Sequence, residues 1–167
     1  MFPDFIELLS VFNAHRVKYL IVGGYAVSFH SQPRATKDLD ILVKADAVNA
    51  EAVYSALAEF GAPLESISVR DLADPTRFFR FGHPPIAVDI LSAVDGVEFD
   101  SAWNQRIEAV VDPDSGLRAF FISRGDLIAS KIAAGRLRDL ADVEEIREAH
   151  PDEPSKTCDK SERTPEG

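Results

Sequence analysis

Three aspartates and a pair of glycines carry the chemistry open to this chain. Asp38 and Asp40 stand two apart in DLDILV, a segment otherwise made of Leu, Ile and Val. Read as a strand, it places both carboxylates on one face, roughly 7 Å apart, and Leu39, Ile41 and Val43 on the other. Asp is a poor strand former, and like charges side by side on a sheet repel. Something cationic between them removes the difficulty, and a pair of divalent ions, Mg²⁺ or Mn²⁺, fits hard oxygen ligands. The same oddity recurs at Asp89, a lone carboxylate inside the apolar run IAVDIL. If that run lies beside the first, Asp89 completes a three-carboxylate cluster.

The glycines supply a complementary half. Residues 17–22 form a short apolar strand that ends at Gly23-Gly24, and residues 25–30 make about two helical turns before Pro33. Without side chains at Gly23 and Gly24, a phosphate can approach the backbone closely. The following helix aims its free N–H groups and positive dipole end at the turn. A nucleoside triphosphate with Mg²⁺ finds amides for its phosphates and carboxylates for its metals. Arg34, Thr36 and Lys37 precede the acidic strand. They read equally well as contacts to the triphosphate or acceptor and as a solvated basic loop that offsets local negative charge.

Gly-Gly, thirteen residues, then Asp-Leu-Asp after a strand resembles the signature of the DNA polymerase β-like nucleotidyltransferase superfamily, over about residues 4–149. The resemblance implies an α/β (α+β) nucleotidyltransferase fold, a small mixed sheet flanked by helices mainly on one side. It implies the third acid, Asp89, on an adjacent strand, with Asp38, Asp40 and Asp89 as metal ligands and catalytic residues. The stretch KIAAGRLRDLAD is similar to a motif of the abortive-infection and type IV toxin nucleotidyltransferases, and falls on Lys131, Arg136, Asp139 and Asp142. Lys131 is thereby a further catalytic candidate. Gly135 reads as a kink or a break, with a final helical stretch to about residue 149; if the helix is continuous, Lys131, Gly135, Arg138 and Asp142 share a stripe, with an Arg138–Asp142 ion pair as the plain alternative. The implied activity is transfer of a nucleoside monophosphate from an NTP to a hydroxyl of tRNA, another RNA, a protein or a small molecule. A cognate toxin or antitoxin is the implied partner. The rival expectation is a catalytically silent module of the same fold that binds such a partner.

Around these residues the chain reads as one domain, 1–149. Asp4 and Glu7 suggest a capping box for a first helix, and Asp46 an N-cap for a helix closed by Gly61 and Pro63. Residues 66–69 read as a short edge strand, 77–81 and 86–91 as paired strands. Residues 99–104 read as a helix, 106–111 and 117–122 as a hairpin, and Ser123 with Asp126 as the cap of the next helix. Residues 150–167 hold no large apolar side chain and read as a disordered polar tail. The four histidines have no metal-ligand spacing, and His30 reads as a structural residue at a helix end. One cysteine, no apolar run near 18 residues and no visible signal peptide suggest a cytoplasmic protein with no membrane partner. Eighteen basic residues against 28 acidic ones, a net charge of −10, argue against broad nucleic-acid binding.

Overall fold

The computed structural model describes residues 1–83 and 86–151. In chain order the elements are α1 (Pro3–Ala14), β1 (Tyr19–Val22), α2 (Gly23–His30), β2 (Asp38–Val43), α3 (Ala47–Phe60), α4 (Val69–Leu72) and β3 (Phe78–His83). Then follow β4 (Ile86–Leu91), α5 (Phe99–Asn104), β5 (Ile107–Asp112), β6 (Leu117–Phe121), α6 (Arg124–Ala134) and α7 (Leu137–Ala149). The strands form one mixed sheet in the order β3-β4-β2-β1-β6-β5. β2 runs parallel to β4 and β1 parallel to β6, while β1–β2, β3–β4 and β5–β6 are antiparallel. The expected α/β class and mixed sheet are present.

Strand alternation separates the two faces. Leu39, Ile41 and Val43 of β2, Val88 and Ile90 of β4, and Phe79 and Phe81 of β3 are buried in the core cluster. α1 and α3 cover this face: Phe12 meets Tyr19 edge-on at 5.7 Å, and Phe60 meets Phe81 at 6.1 Å. The opposite face of β3, β4 and β2 carries Arg80, Asp89, Asp40 and Asp38. Burying one apolar face therefore dictates which way the acids point.

Several local expectations hold. Asp46 caps α3 by accepting from Asn49 N–H, and Gly61 closes it in the left-handed region at φ 86°. Ser123 accepts from Asp126 N–H at the start of α6. His30 is buried and its Nε2 meets Ile122 O at 2.8 Å, a structural tie; burial pushes its pKa down.

Two expectations fail for physical reasons, and one left open is decided. Asp4 does not cap α1. Pro3 opens the helix from Phe2, and the fixed φ of proline suits that first position, so Asp4 falls inside the first turn, near the positive helix end. Residues 66–69 are not a strand, because Ser68 and Asp71 cap each other reciprocally and start the short helix α4. Of the readings open at Gly135, the break is the one that forms, so residues 131–142 are two helices. Gly135 ends α6 at φ 66°, and α7 restarts at Leu137. From residue 152 on, the expected tail lies outside the described residues. No described helix is long and apolar enough to cross a membrane.

Candidate active site

β1 ends at Val22, and the chain turns directly into α2 at Gly23, without a side-chain cap. Gly23 has φ +60°, and a Cβ there would overlap the Asp40 carboxylate; a Cβ on Gly24 would meet Thr36 Oγ1 at 2.5 Å. Glycine is thus required by both conformation and space. The Gly24 N–H lies close enough to the Asp40 carboxylate to favour its charged form.

Sheet register brings the acids together. Asp40 on β2 lies opposite Asp89 on β4, and Asp89 opposite Arg80 on β3. The Arg80 guanidinium spans two of the acids, with Nη1 at 2.8 Å from Asp89 Oδ2 and Nη2 at 3.1 Å from Asp38 Oδ2. Asp89 Oδ1 is buried and receives no hydrogen bond in the ionised protein. The neighbouring Asp40 carboxyl can supply one only by holding a proton. Burial, then the charges of Asp89 and Asp38, push the Asp40 pKa up to about 6 against the opposing Gly24 N–H. Burial also raises Asp89, with Asp38 adding to the shift and Arg80 opposing it. Among the described residues no three carboxylate or imidazole side chains stand in ready metal-ligand geometry. On the sheet, Asp38 and Asp89 are instead held by the Arg80 guanidinium. The donor set is of hard carboxylate oxygens, the kind that suits Mg²⁺ or Mn²⁺, and Asp89 Oδ1 is left without a partner.

A second ionic group faces the first. Gly135 breaks the helix and lets α7 fold back along α6, which buries Lys131 between two acids. Its Nζ lies 3.0 Å from Asp139 Oδ1 and 2.7 Å from Asp142 Oδ2. Arg136 holds Asp139 at 2.6 Å, and Arg34 holds Asp142 at 2.6 Å and Glu145 at 3.6 Å. Burial alone would raise both aspartates, but the hydrogen bonds from Arg136 and Lys131, and from Arg34 and Lys131, outweigh it and lower their pKa values. The shared stripe and the Arg138–Asp142 pair do not exist. Asp142 is taken by Arg34 and Lys131, and Arg138 is exposed.

A groove of about 500 Å³ is lined by Gly23, Gly24, Arg34, Thr36, Lys37, Asp38, Asp40 and Lys131, together with Arg136, Arg138, Asp139 and Asp142. It gathers all the sequence candidates except Asp89, which lies one strand over. An adjoining cavity of about 300 Å³ shares Gly23, Asp40, Lys131, Arg136 and Asp139, and adds Leu91, Asp95 and Leu127. Sequence reasoning missed Arg80. The signal was present as an arginine in FFRF, a strand of alternating burial, but only the register reveals its acidic partners.

A glycine turn feeding a helix, beside paired acidic strands in a mixed sheet, defines a nucleotidyltransferase fold. The chain belongs to the family described as "Nucleotidyltransferase of unknown function (DUF6036)", whose model matches residues 4–148. Among solved structures, the lincomycin-bound crystal structure of the lincosamide antibiotic adenylyltransferase LnuA is similar, with a TM-score of 0.56 and 15% identity. The match covers 88% of this chain and 96% of that one. Comparison with curated protein sequences finds no match.

Proposed function

We propose that this chain is a metal-dependent nucleotidyltransferase that moves a nucleoside monophosphate from an NTP to a hydroxyl of RNA, protein or a small molecule. The observation that carries the reading is the single groove in which the glycine turn, Asp38, Asp40 and a set of cationic side chains converge, with Asp89 on the next strand. Asp38 and Asp40 would hold Mg²⁺ or Mn²⁺, and Asp89 the ion on the acceptor side. When bound, such ions stabilise the attacking and leaving oxygens of an in-line displacement. The acceptor oxygen bonds to the α-phosphorus, the bond to pyrophosphate breaks, and Asp89 takes the hydroxyl proton. Lys37, Arg136, Arg138 and the basic edge of Arg34 face the triphosphate. Lys131 fixes α7 and thus the basic wall of the groove.

The motif resemblance to abortive-infection nucleotidyltransferases favours a toxin–antitoxin or phage-defence setting with RNA or a partner protein as acceptor. The lincosamide adenylyltransferase keeps a small molecule among the acceptors. One observation favours the silent-module reading: Arg80 occupies the space between Asp38 and Asp89. Calorimetry with each NTP and Mg²⁺, followed by labelled-NTP transfer in a cell extract, decides between them. Metal-dependent NTP binding and a labelled acceptor are expected. Stabilisation that is the same with EDTA present overturns the metal-dependent reading.

A further inference from the structure

We propose that Arg80 is the built-in counterion of the acid cluster, the group a divalent ion must displace, and so the residue that sets metal affinity. This rests on the metal-dependent reading above. Three observations carry it. The guanidinium bridges Asp38 and Asp89 from two separate strands, with one nitrogen on each. Its remaining surface is half exposed, and β3 is the edge strand of the sheet, so the side chain can leave without disturbing the core. A recess of about 380 Å³ beside β3 is lined by Thr76, Arg77, Phe78 and Arg80 itself, so the side chain already borders open space on that side.

The physics is a competition between cations for the same oxygens. A guanidinium carries one charge and binds carboxylates through a planar fork; a divalent ion carries two and takes oxygens from several directions. With Arg80 in place, Asp38 and Asp89 are each half satisfied, and Asp89 Oδ1 stays without a donor. The protein thereby remains stable without metal, at the cost of weaker metal binding. A nucleotide that brings its own phosphate oxygens to the ion tips the exchange, which couples metal entry to substrate arrival.

The test is a Mn²⁺ titration of the full chain, without nucleotide, followed by the EPR signal of free aqueous Mn²⁺. Arg80→Met keeps the apolar stem and removes the charge. It should bind Mn²⁺ at least tenfold more tightly than wild type, about 1.4 kcal/mol. Arg80→Lys keeps one charge but cannot fork across both acids, and should fall between them, about threefold tighter. It decides the matter alone if Arg80→Met does not fold. Arg77→Met removes a neighbouring charge whose guanidinium pairs with Asp71 instead, and should change affinity by less than twofold. Unchanged or weaker Mn²⁺ binding in the Arg80 variants overturns the proposal, as does an equal effect from Arg77→Met. Adding Asp40→Asn should abolish the binding. If binding depends on Asp40 but is equal in wild type and the Arg80 variants, the Arg80 role falls alone; if no form shows binding that depends on Asp40 either without or with added NTP, the metal-dependent reading falls as well.

Discussion

Asp40 and Asp139 line the same cavities, yet the fold treats them in opposite ways. Asp40 belongs to a sheet cluster in which three carboxylates face one guanidinium, and its pKa is pushed up to about 6. Asp139 and Asp142 belong to a helix cluster in which two buried carboxylates are held by Lys131, Arg34 and Arg136, and their pKa values are pushed down. The difference is one of completion. The helix cluster is neutralised by its own chain and ties the 31–37 loop, α6 and α7 into one wall. The sheet cluster is left short of positive charge, the state expected of a site that takes a cation from outside.

The sharpest way to break this contrast is to unbalance the helix cluster. Lys131→Met removes the ammonium from between Asp139 and Asp142 and leaves both buried. Breaking a buried ion pair so that a charge is left unpaired costs about 3–5 kcal/mol; because Asp139 keeps Arg136 and Asp142 keeps Arg34, the lower end, about 3 kcal/mol, applies. Urea unfolding should show a loss of that size, with the unfolding slope unchanged. A loss below about 1 kcal/mol would mean the two clusters do not differ in kind.

Gly23→Ala comes next. It sets a side chain at φ +60° and drives its Cβ into the Asp40 carboxylate. The backbone term alone is about 1 kcal/mol, and displacing Asp40 adds to it. The expected loss is about 2 kcal/mol by urea unfolding, accompanied by weaker Mn²⁺ binding because Asp40 moves. A stability loss with Mn²⁺ binding intact would detach the glycine turn from the site.

Asp40→Asn should do the reverse of Lys131→Met: stabilise the metal-free protein. The sign follows from the raised pKa. The folded state favours protonated Asp40, so the contribution to stability is fullest below the ordinary carboxylate pKa near 4. It is lost as pH rises through about 6. With EDTA present, the variant should match wild type at pH 4 and exceed it by about 1–2 kcal/mol at pH 7.5, a figure discounted for partial exposure. The Asn amide can also donate to Asp89 Oδ1. Thermal unfolding across pH 4–8 checks this, and a variant less stable than wild type at pH 7.5 counts against an under-neutralised cluster. The helix cluster runs the other way, with its stability lost as pH falls through the lowered pKa values of Asp139 and Asp142.

The sheet cluster was legible in the sequence and the helix cluster only partly so. Acids at alternate positions of apolar strands are conspicuous because strand propensity and charge repulsion both oppose them, and alternation alone fixes their face. Whether β4 lies beside β2 is a matter of long-range pairing, which no local pattern states. Residues 131–142 stayed open at Gly135. The helical period runs through it unbroken, while the left-handed backbone that glycine permits reverses the chain and replaces an expected surface stripe with a buried pair of helices. The reciprocal cap of Ser68 and Asp71 was not read from the sequence, where residues 66–69 suggested an edge strand. Arg80 needed register across three strands, and no spacing in one segment supplies that.

The smallest expected effect sharpens the contrast at its edge. Arg138 lies on α7 four residues before Asp142, where an isolated helix would pair them for a few tenths of a kcal/mol. Here Asp142 is already committed to Arg34 at 2.6 Å and Lys131 at 2.7 Å, and Arg138 is left exposed on the groove wall. Arg138→Ala should therefore change stability by less than about 0.5 kcal/mol, the range of ordinary surface substitutions. If the groove takes a triphosphate, the same variant should weaken NTP binding by about two- to fivefold, and more at low salt than at high salt, as expected for an exposed charge. Calorimetry at two salt concentrations reads both quantities. A stability loss above 1 kcal/mol would place Arg138 inside the helix cluster after all. Unchanged NTP affinity at low salt would take the α7 wall out of the phosphate path.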